Sequence, residues 1–346
     1  MQSHGTSLRR YVLTRIALAV PTVLVLLTMV FLLMRVAPGN PIQAALGGHV
    51  SEQEIQRRSA AAGYDRPILT QYVDYLKDIA TLNLGTTLTD HREVCCNSTS
   101  IVVENGSATM ELSVSAFFVA VLVGITIGVL AGRFRDTPID LSGRLFGIVI
   151  YATPVFFLGF VAQLVFGVEL GWLPTSGRAS PIVEYELDKV TYFYTLDSLI
   201  TGNWSAFWDI IQHLILPAVT LGLVISGVLI RLVRVNLMQT MRGDYVEAAR
   251  ARGISERRVV MHHAFRNALV PVVTVAGLQF AALLGGAIVT EETFNWPGIG
   301  FQLVRYLNER DYIAVQGIIT VFALAVVAVS VLIDLVNAFI DPRVRY

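Results

Sequence analysis

Charged residues are scarce in this sequence. Lys, Arg, Asp and Glu make up 15% of its 346 residues, whereas 54% are hydrophobic, and the mean hydropathy is +0.61. The 26 basic residues balance the 26 acidic ones, so the chain as a whole has no electrostatic preference for nucleic acid. A soluble domain spaces its apolar residues with the period of a helix or a strand. Here they are gathered into long runs, which argues against a soluble protein.

Sequence motifs for catalysis and nucleotide binding are also absent. The chain contains no HExxH, no GxSxG and no GxxxxGK(S/T) phosphate-binding loop. We therefore expect a protein that is not an enzyme, binds no metal or other cofactor and does not hydrolyse ATP itself. If it moves a solute against a gradient, the energy must come from another subunit.

Cysteine is limited to one adjacent pair, Cys95 and Cys96, and no CxxC motif is present. Adjacent cysteines can bond to each other only through a strained ring, so the pair does not support a disulfide framework. The expectation is two unremarkable or occasionally reactive thiols.

Six uninterrupted apolar runs are each long enough to span a membrane as a helix. None of them contains Asp, Glu, Lys or Arg in its interior. The sequence therefore predicts an all-α polytopic membrane protein with six transmembrane helices. The runs are Ile16–Met34, Leu112–Gly132, Leu145–Val168, Ile210–Ile230, Asn267–Thr290 and Tyr312–Ile333.

Successive loops of this predicted bundle alternate between an excess of basic and an excess of acidic residues. Between runs four and five, eight arginines face three acidic residues, whereas six acidic residues outnumber two basic ones between runs three and four. Positively charged loops stay in the cytoplasm, so both termini and the loop 244–268 are predicted to be cytoplasmic.

A long external loop is expected after the first transmembrane helix. Within it, the stretch ILTQYVDYLKDIATL places apolar residues at helical spacing from Ile68 to Ile79, which predicts an amphipathic helix on the membrane or on the bundle. The predicted regions are an N-terminal tail with helix 1 (1–36), an extracytoplasmic loop (37–103), a core with helices 2–6 (104–340) that contains the cytoplasmic loop 244–268, and a cytoplasmic tail (341–346).

The stretch DYVEAARARGISERRVV, which begins at Asp244, predicts two short helices with a break. Asp244 can cap the first, with Glu247 completing a capping box. Gly253 can end it in the left-handed conformation, and Ser255 can cap the second. A helix pair with so many arginines suits a docking element better than the two alternatives, an amphipathic helix on anionic lipid and a DNA-reading helix-turn-helix.

Small residues on the first of these helices, Ala248 and Ala249, predict a low surface that another protein can approach closely. Three other functions compete with a subunit that docks to a partner. Two are transporters that work without ATP, namely a secondary transporter and a channel. The third is a membrane scaffold that only anchors other proteins. The uncharged helix interiors argue against a proton-coupled transporter, which needs an ionisable group in the membrane. The docking stretch argues against a transporter that works alone.

Glu247-Ala248-Ala249, followed by Gly253 and by Pro271, resembles the EAA loop of ATP-binding cassette (ABC) importer permeases. The version in this chain is similar to that of the dipeptide/oligopeptide/nickel family of type I importers. EETFNWPGIGFQLVRYLNERDY resembles the external segment of that family before its last helix. The N-terminal helix and the long first loop resemble those of the first, or B-type, of two paired peptide permeases.

The resemblance implies a permease subunit in a bacterial plasma (inner) membrane. It implies a second, distinct permease chain, two cytoplasmic ATPases that bind ATP and Mg²⁺, an extracytoplasmic peptide-binding protein, often a lipoprotein, and membrane lipid as partners. Dipeptides, oligopeptides, glutathione and nickel chelates all remain possible solutes, and no substrate-contacting residue is identified. The residues assigned to coupling are Asp244, Glu247, Ala248, Ala249, Arg250 and Gly253, and those assigned to the external motif are Trp296, Pro297, Gly298 and Gly300.

Overall fold

A computed structural model of the chain describes residues 8–36, 51, 53, 56–57, 65–97 and 99–340. In this part the fold is helical, with one isolated β-bridge between Thr86 and Glu93. Much of the predicted external loop before residue 65, and the predicted tail 341–346, lie outside the described residues. The helices are α1 (Leu8–Val36), α2 (Ile68–Ala80), α3 (Ile101–Arg133), α4 (Pro138–Ala152), α5 (Val155–Ala162), α6 (Pro181–Glu186), α7 (Tyr194–Ile200), α8 (Trp204–Thr240), α9 (Asp244–Ala251), α10 (Glu256–Arg258), α11 (Phe265–Gly286), α12 (Ile288–Thr293), α13 (Ile299–Asn308) and α14 (Tyr312–Ile340).

Five helical segments are long and apolar enough to cross a membrane, and a bent pair forms a sixth if it counts as one span. The prediction of an all-α polytopic protein is confirmed, with boundaries that differ from the apolar runs. Helix α8 extends ten residues beyond Ile230, to Thr240, because amphipathic helix continues where the uninterrupted apolar run stops.

The centre of the fold is a parallel pair of long helices, α3 and α8. Gly124, Gly128 and Gly132 recur every four residues and form a stripe on α3 that faces Leu229 and Val233. A Cβ on Gly128 would lie only 2.7 Å from Cβ of Val233. Small residues allow helix backbones to approach closely in a membrane, where apolar burial gives helices no preference for each other over lipid.

The third apolar run is not one straight helix. Helix α4 ends at Ala152, and α5 with the π-helical segment Gln163–Glu169 continues at an angle of 103°. Pro154 has no N–H to donate and forces the preceding Thr153 into an extended conformation, with φ −81° and ψ 127°. The run therefore breaks at the proline.

Helix α1 packs along α14 at the edge of the bundle, where Arg15 and Asp334 pair at 3.3 Å. The amphipathic helix predicted from Ile68 to Ile79 is confirmed as α2. Its Tyr72, Tyr75 and Leu76 pack on Leu27 and Phe31 of α1. Pro67 occupies the capping position before it, without a side-chain capping hydrogen bond.

Cys95 and Cys96 form a disulfide bond with each other, so the expectation of two free thiols is wrong. The bond lies in a turn held by the buried Val94, whose N–H donates to the carbonyl of Gly85 at 3.0 Å. Cys96 adopts a positive φ of 83°. The tertiary contacts on both sides of the pair hold the turn that brings the two sulfurs together, which residue spacing alone does not reveal.

Candidate functional site

The hairpin formed by α9 and α10 lies where α3 and α8 end. Helix α9 begins after Gly243, and Gly253 turns the chain with a φ of +74°. A Cβ on Gly253 would meet nothing within 4 Å, so only the left-handed backbone demands glycine there. The predicted helix pair with a glycine break is confirmed.

One face of the hairpin is fastened to the core. Val246 and Ala249 are buried against Val259, Val260 and Ala264. Residues three apart share one face of a helix, so α9 turns Glu247 and Ala248 outward, where both are exposed. The prediction that Ala248 and Ala249 form one low surface is therefore half wrong, because Ala249 faces inward.

Asp244 does not cap α9, contrary to prediction. Gly243 occupies the capping position and Asp244 is the first helical residue, with no side-chain bond to the capped N–H groups. Its carboxylate still lies with that of Glu247 in the first turn, where the helix dipole favours negative charge. Ser255 does hold the capping position before α10, although its side chain makes no capping hydrogen bond.

An ion pair bridges the hairpin across its turn. Arg250 on α9 donates from Nε and Nη2 to the two carboxylate oxygens of Glu256 on α10, at 3.1 and 2.7 Å. These bonds raise the pKa of the Arg250 guanidinium. Both side chains are about half exposed, so the pair fixes geometry more than it stabilises the fold.

The second arm of the hairpin continues into the membrane. Helix α10, the π-helical segment Val259–Ala264 and α11 form one candidate span from Glu256 to Leu283. A movement of α9 can therefore pass to α11 through the buried contacts that Val246 and Ala249 make with Val259 and Val260 on this arm. Four arginines on this arm and at its turn are exposed: Arg252, Arg257, Arg258 and Arg266.

The predicted external motif is buried at the other end of α3. Trp296 is fully buried and donates from Nε1 to the carbonyl of Ala108 at 3.0 Å, while Asn105 donates to the carbonyl of Pro297 at 2.7 Å. Val129, which packs with the hairpin, lies 21 residues further along the same helix than Ala108, or roughly 30 Å at 1.5 Å per residue. The two predicted sets of residues thus form two separate sites.

A buried carboxylate organises this external motif. Glu291 accepts hydrogen bonds from the hydroxyl of Thr109 at 2.6 Å and from the backbone N–H of Phe301 at 2.8 Å. A Cβ on Gly298 would lie 2.2 Å from the Glu291 Oε1, and one on Gly300 would lie 2.8 Å from its Oε2. Both glycines are needed because the carboxylate occupies the space of their missing side chains.

Burial raises the pKa of Glu291 to about 7, against the opposing effect of its hydrogen bonds to Thr109 and to the start of α13. Sequence reasoning did not single out this residue, because it counted Glu291 only as a charge in an external loop.

Two buried ion pairs were also missed. Arg178 pairs with Glu111 through Nη2 at 2.7 Å, and both are nearly inaccessible. Arg234 pairs with the fully buried Asp140 through Nε at 2.5 Å. The residues of each pair are far apart in sequence and were assigned to solvated loops or helix ends, so no local signal indicated that they meet.

Comparison with known proteins identifies the family to which this chain belongs. Residues 124–346 match the family model described as "Binding-protein-dependent transport system inner membrane component". Residues 8–128 match the N-terminal membrane component model of the same systems. The chain belongs to this family.

Curated relatives of the chain are themselves permeases. It is 36% identical over 337 residues to the di/tripeptide transport system permease protein DppB of Pseudomonas aeruginosa, covering 97% of this chain and 98% of the relative. It is 34% identical over 336 residues to the dipeptide transport system permease protein DppB of Alkalihalophilus pseudofirmus, covering 97% and 99%. It is 33% identical over 336 residues to the glutathione transport system permease protein GsiC of Salmonella choleraesuis, again covering 97% and 99%.

Membership of the binding-protein-dependent inner membrane components confirms the predicted ABC importer permease. The chain is a multi-pass protein of the bacterial inner membrane and one component of a transport system that has others.

Proposed function

We propose that this chain is the permease subunit of an ATP-driven importer of dipeptides or oligopeptides and forms half of its translocation pathway. Relatives at 34–36% identity over nearly the whole chain are named for dipeptide and di/tripeptide transport. One relative of similar identity is named for glutathione, itself a peptide, so glutathione is the first alternative solute. Nickel chelates are a further alternative that rests on the sequence resemblance alone.

The observation that carries the coupling role is the shape of the hairpin. Its outer face, with Asp244, Glu247 and Ala248, is exposed, its inner face is held by the core, and its second arm continues into α11. In our proposal a cytoplasmic ATPase receives α9, ATP binding moves α9, and α11 transmits the movement to the pathway. Gly253 sets the angle between the arms, and Arg250 holds it through Glu256.

The other partners in this proposal are those that the resemblance to ABC importer permeases implies. A second, homologous permease completes the pathway, and two ATPase subunits bind ATP and Mg²⁺, so this chain needs no cofactor of its own. An extracytoplasmic binding protein delivers the peptide on the face of the Trp296 motif. The arginines of the hairpin support a cytoplasmic position for it by the positive-inside rule. The pairing of Arg15 with Asp334 brings the start of α1 and the end of α14 to the same side of the bundle, which agrees with two termini on one face of the membrane.

A substitution of Gly253 tests the coupling role. Val at this position strains the turn, because a β-branched residue tolerates positive φ poorly. Gly202 is a matched control, since it also has positive φ (+69°) and open space around its Cβ position, but lies elsewhere, between α7 and α8. In proteoliposomes that contain the partner subunits, Gly253→Val should reduce ATP-dependent uptake of labelled dialanine at least tenfold and leave ATP hydrolysis uncoupled from it.

Gly202→Val should leave the ratio of uptake to hydrolysis unchanged, although its backbone strain is similar. Normal uptake by Gly253→Val would count against the coupling role of the hairpin. Uptake by wild-type protein without ATP would favour the alternative of an ATP-independent transporter or channel. Competition by glutathione or by a nickel chelate, but not by unlabelled dipeptides, would reassign the solute.

A further inference from the structure

A cavity of about 480 Å³ lies at the edge of the bundle, between the end of α1, the polar face of α2 and the first turns of α14. It belongs to the face of the molecule that carries the Trp296 motif, because α1 ends and α14 begins there. Its size falls within the range of small-molecule sites. The proposed transport function assigns nothing to it.

Three separate parts of the chain build the walls of the cavity. Tyr75 of α2 and Thr320 of α14 are buried, and their hydroxyls are 2.8 Å apart. Gln71 donates from its side chain to the carbonyl of Arg66 at 2.7 Å. The first contact joins α2 to α14, and the second fixes the start of α2, so both keep the cavity walls in place.

Charges of both signs line the cavity. The cations are Arg35, Arg66 and Lys77, and the anions are Asp74 and Asp78. Arg66 pairs with Asp74 at 3.2 Å. Neither Lys77 nor Asp78 takes part in an ion pair within the described part of the chain.

The two acids lie one helical turn apart on α2, so their charges repel each other. Burial, followed by the charge of Asp74, raises the pKa of Asp78. A ligand ammonium beside Asp78 relieves this repulsion. The guanidinium of Arg35 offers donors in a fork that suits a carboxylate or a phosphate.

We propose that this cavity binds a small zwitterion whose ammonium group lies against Asp74 and Asp78 and whose carboxylate or phosphate lies against Arg35 and Lys77. With three cations and two anions on its walls, the cavity suits a ligand without net positive charge. Two sources supply this chemistry at the membrane surface, the headgroup of an aminophospholipid and a free zwitterion in the aqueous phase.

Soluble probes test the proposal on the full-length chain purified in detergent, with binding measured by titration calorimetry. Glycerophosphoethanolamine carries both charges, glycerophosphoglycerol carries the phosphate alone, and dialanine is a free zwitterion with a carboxylate. The wild-type chain should bind one of the two zwitterions at least about tenfold more tightly than glycerophosphoglycerol.

Two variants assign the contacts. Asp78→Asn should weaken zwitterion binding about tenfold and leave glycerophosphoglycerol unaffected, whereas Arg35→Gln should weaken both. The matched controls Asp188→Asn and Arg135→Gln change exposed residues that do not line the cavity and should bind as the wild type does. Asp78 is exposed, so its variant should fold even if the Arg35 variant does not.

The two sources are then separated in nanodiscs. If phosphatidylethanolamine discs block binding of the soluble probe and phosphatidylglycerol discs do not, the site holds a lipid headgroup. If dialanine binds equally tightly in phosphatidylethanolamine and phosphatidylglycerol discs, the site holds a free zwitterion. Either of these two results supports the proposal. Equal affinity for glycerophosphoglycerol, wild-type affinity in Asp78→Asn, or no saturable binding at about 10 mM would overturn it.

Discussion

Single side chains hold this protein together at points where separate helices meet. Glu291 is the clearest case, because its carboxylate joins Thr109 of α3 to the first N–H groups of α13. A buried acid of this kind costs desolvation energy in its charged form. Its effect on stability must therefore depend on pH.

The direction of that dependence follows from the raised pKa. The folded chain holds a proton on Glu291 up to about pH 7, whereas an ordinary Glu side chain releases it near 4.5. Between these values the folded state binds more protons than the unfolded state, so stability falls as pH rises through this window. Glu291→Gln cannot ionise and should remove this part of the pH dependence. Thermal unfolding in detergent measures it as a fall of a few degrees in the melting temperature of the wild type between pH 4.5 and 8, which the variant should lack.

Glu292 provides the matched control. It lies next to Glu291 but is exposed, and burial raises its pKa as well. Glu292→Gln should keep most of the wild-type slope. A Glu291→Gln variant whose melting temperature changes with pH in parallel with the wild type would contradict the assignment.

At the scale of helices, glycine residues decide how closely two helix backbones approach each other. The stripe Gly124, Gly128 and Gly132 lets α3 pack against α8 over at least two turns. Since lipid and protein are similarly apolar, this packing is a main source of helix association in the membrane. An added methyl group should have a measurable effect.

Gly128→Ala should destabilise the helix pair by about 1–3 kcal/mol, because its Cβ would overlap Val233 and lie 3.0 Å from the carbonyl oxygen of Ile230. Gly285→Ala in α11 is the control, since a Cβ there meets nothing within 4 Å. Thermal unfolding of the two purified variants in one detergent compares them. Equal melting temperatures for both variants would show that the stripe does not limit packing.

At the scale of the whole molecule, buried ion pairs join segments that lie far apart in the sequence. Arg178 precedes α6 and pairs with Glu111 of α3, and its guanidinium carbon lies 3.8 Å from the centre of the Tyr194 ring. Glu111 also accepts from the backbone N–H of Thr195 at 2.8 Å. These contacts seat the segment with α6 and α7 on the end of α3.

Removal of one partner should leave a buried charge without compensation. Arg178→Met is expected to cost about 3–5 kcal/mol of stability, whereas the double variant Arg178→Met/Glu111→Leu should recover part of that loss. Limited proteolysis should cleave the segment between residues 171 and 203 earlier in the single variant than in the double variant or the wild type, because the segment is released there. If the double variant is no more stable than Arg178→Met, the loss does not come from the stranded carboxylate.

Much of the fold could be predicted because its causes are local in the chain. Hydrocarbon excludes charge and unpaired backbone groups, so the apolar runs alone indicate where helices cross. The glycine at 253 and the capping residue Ser255 that follows it predict the break and the second helix of the hairpin. The EAA loop and the external motif indicated the family, which the comparisons confirm.

Only the tertiary structure decided which residues meet. From the sequence, Arg178, Asp140 and Arg234 counted only as loop charges and Glu111 was not singled out, whereas Cys95 and Cys96 were expected to be free thiols. Likewise, only packing against Val259 and Val260 shows that Ala249 faces the core while Ala248 faces outward. Hydropathy, turn chemistry and charge bias are sums over neighbouring residues, so the sequence determines where spans and turns occur and predicts the side of each loop. The burial and partner of a charge depend on segments distant in the chain, and those are set only when the helices pack.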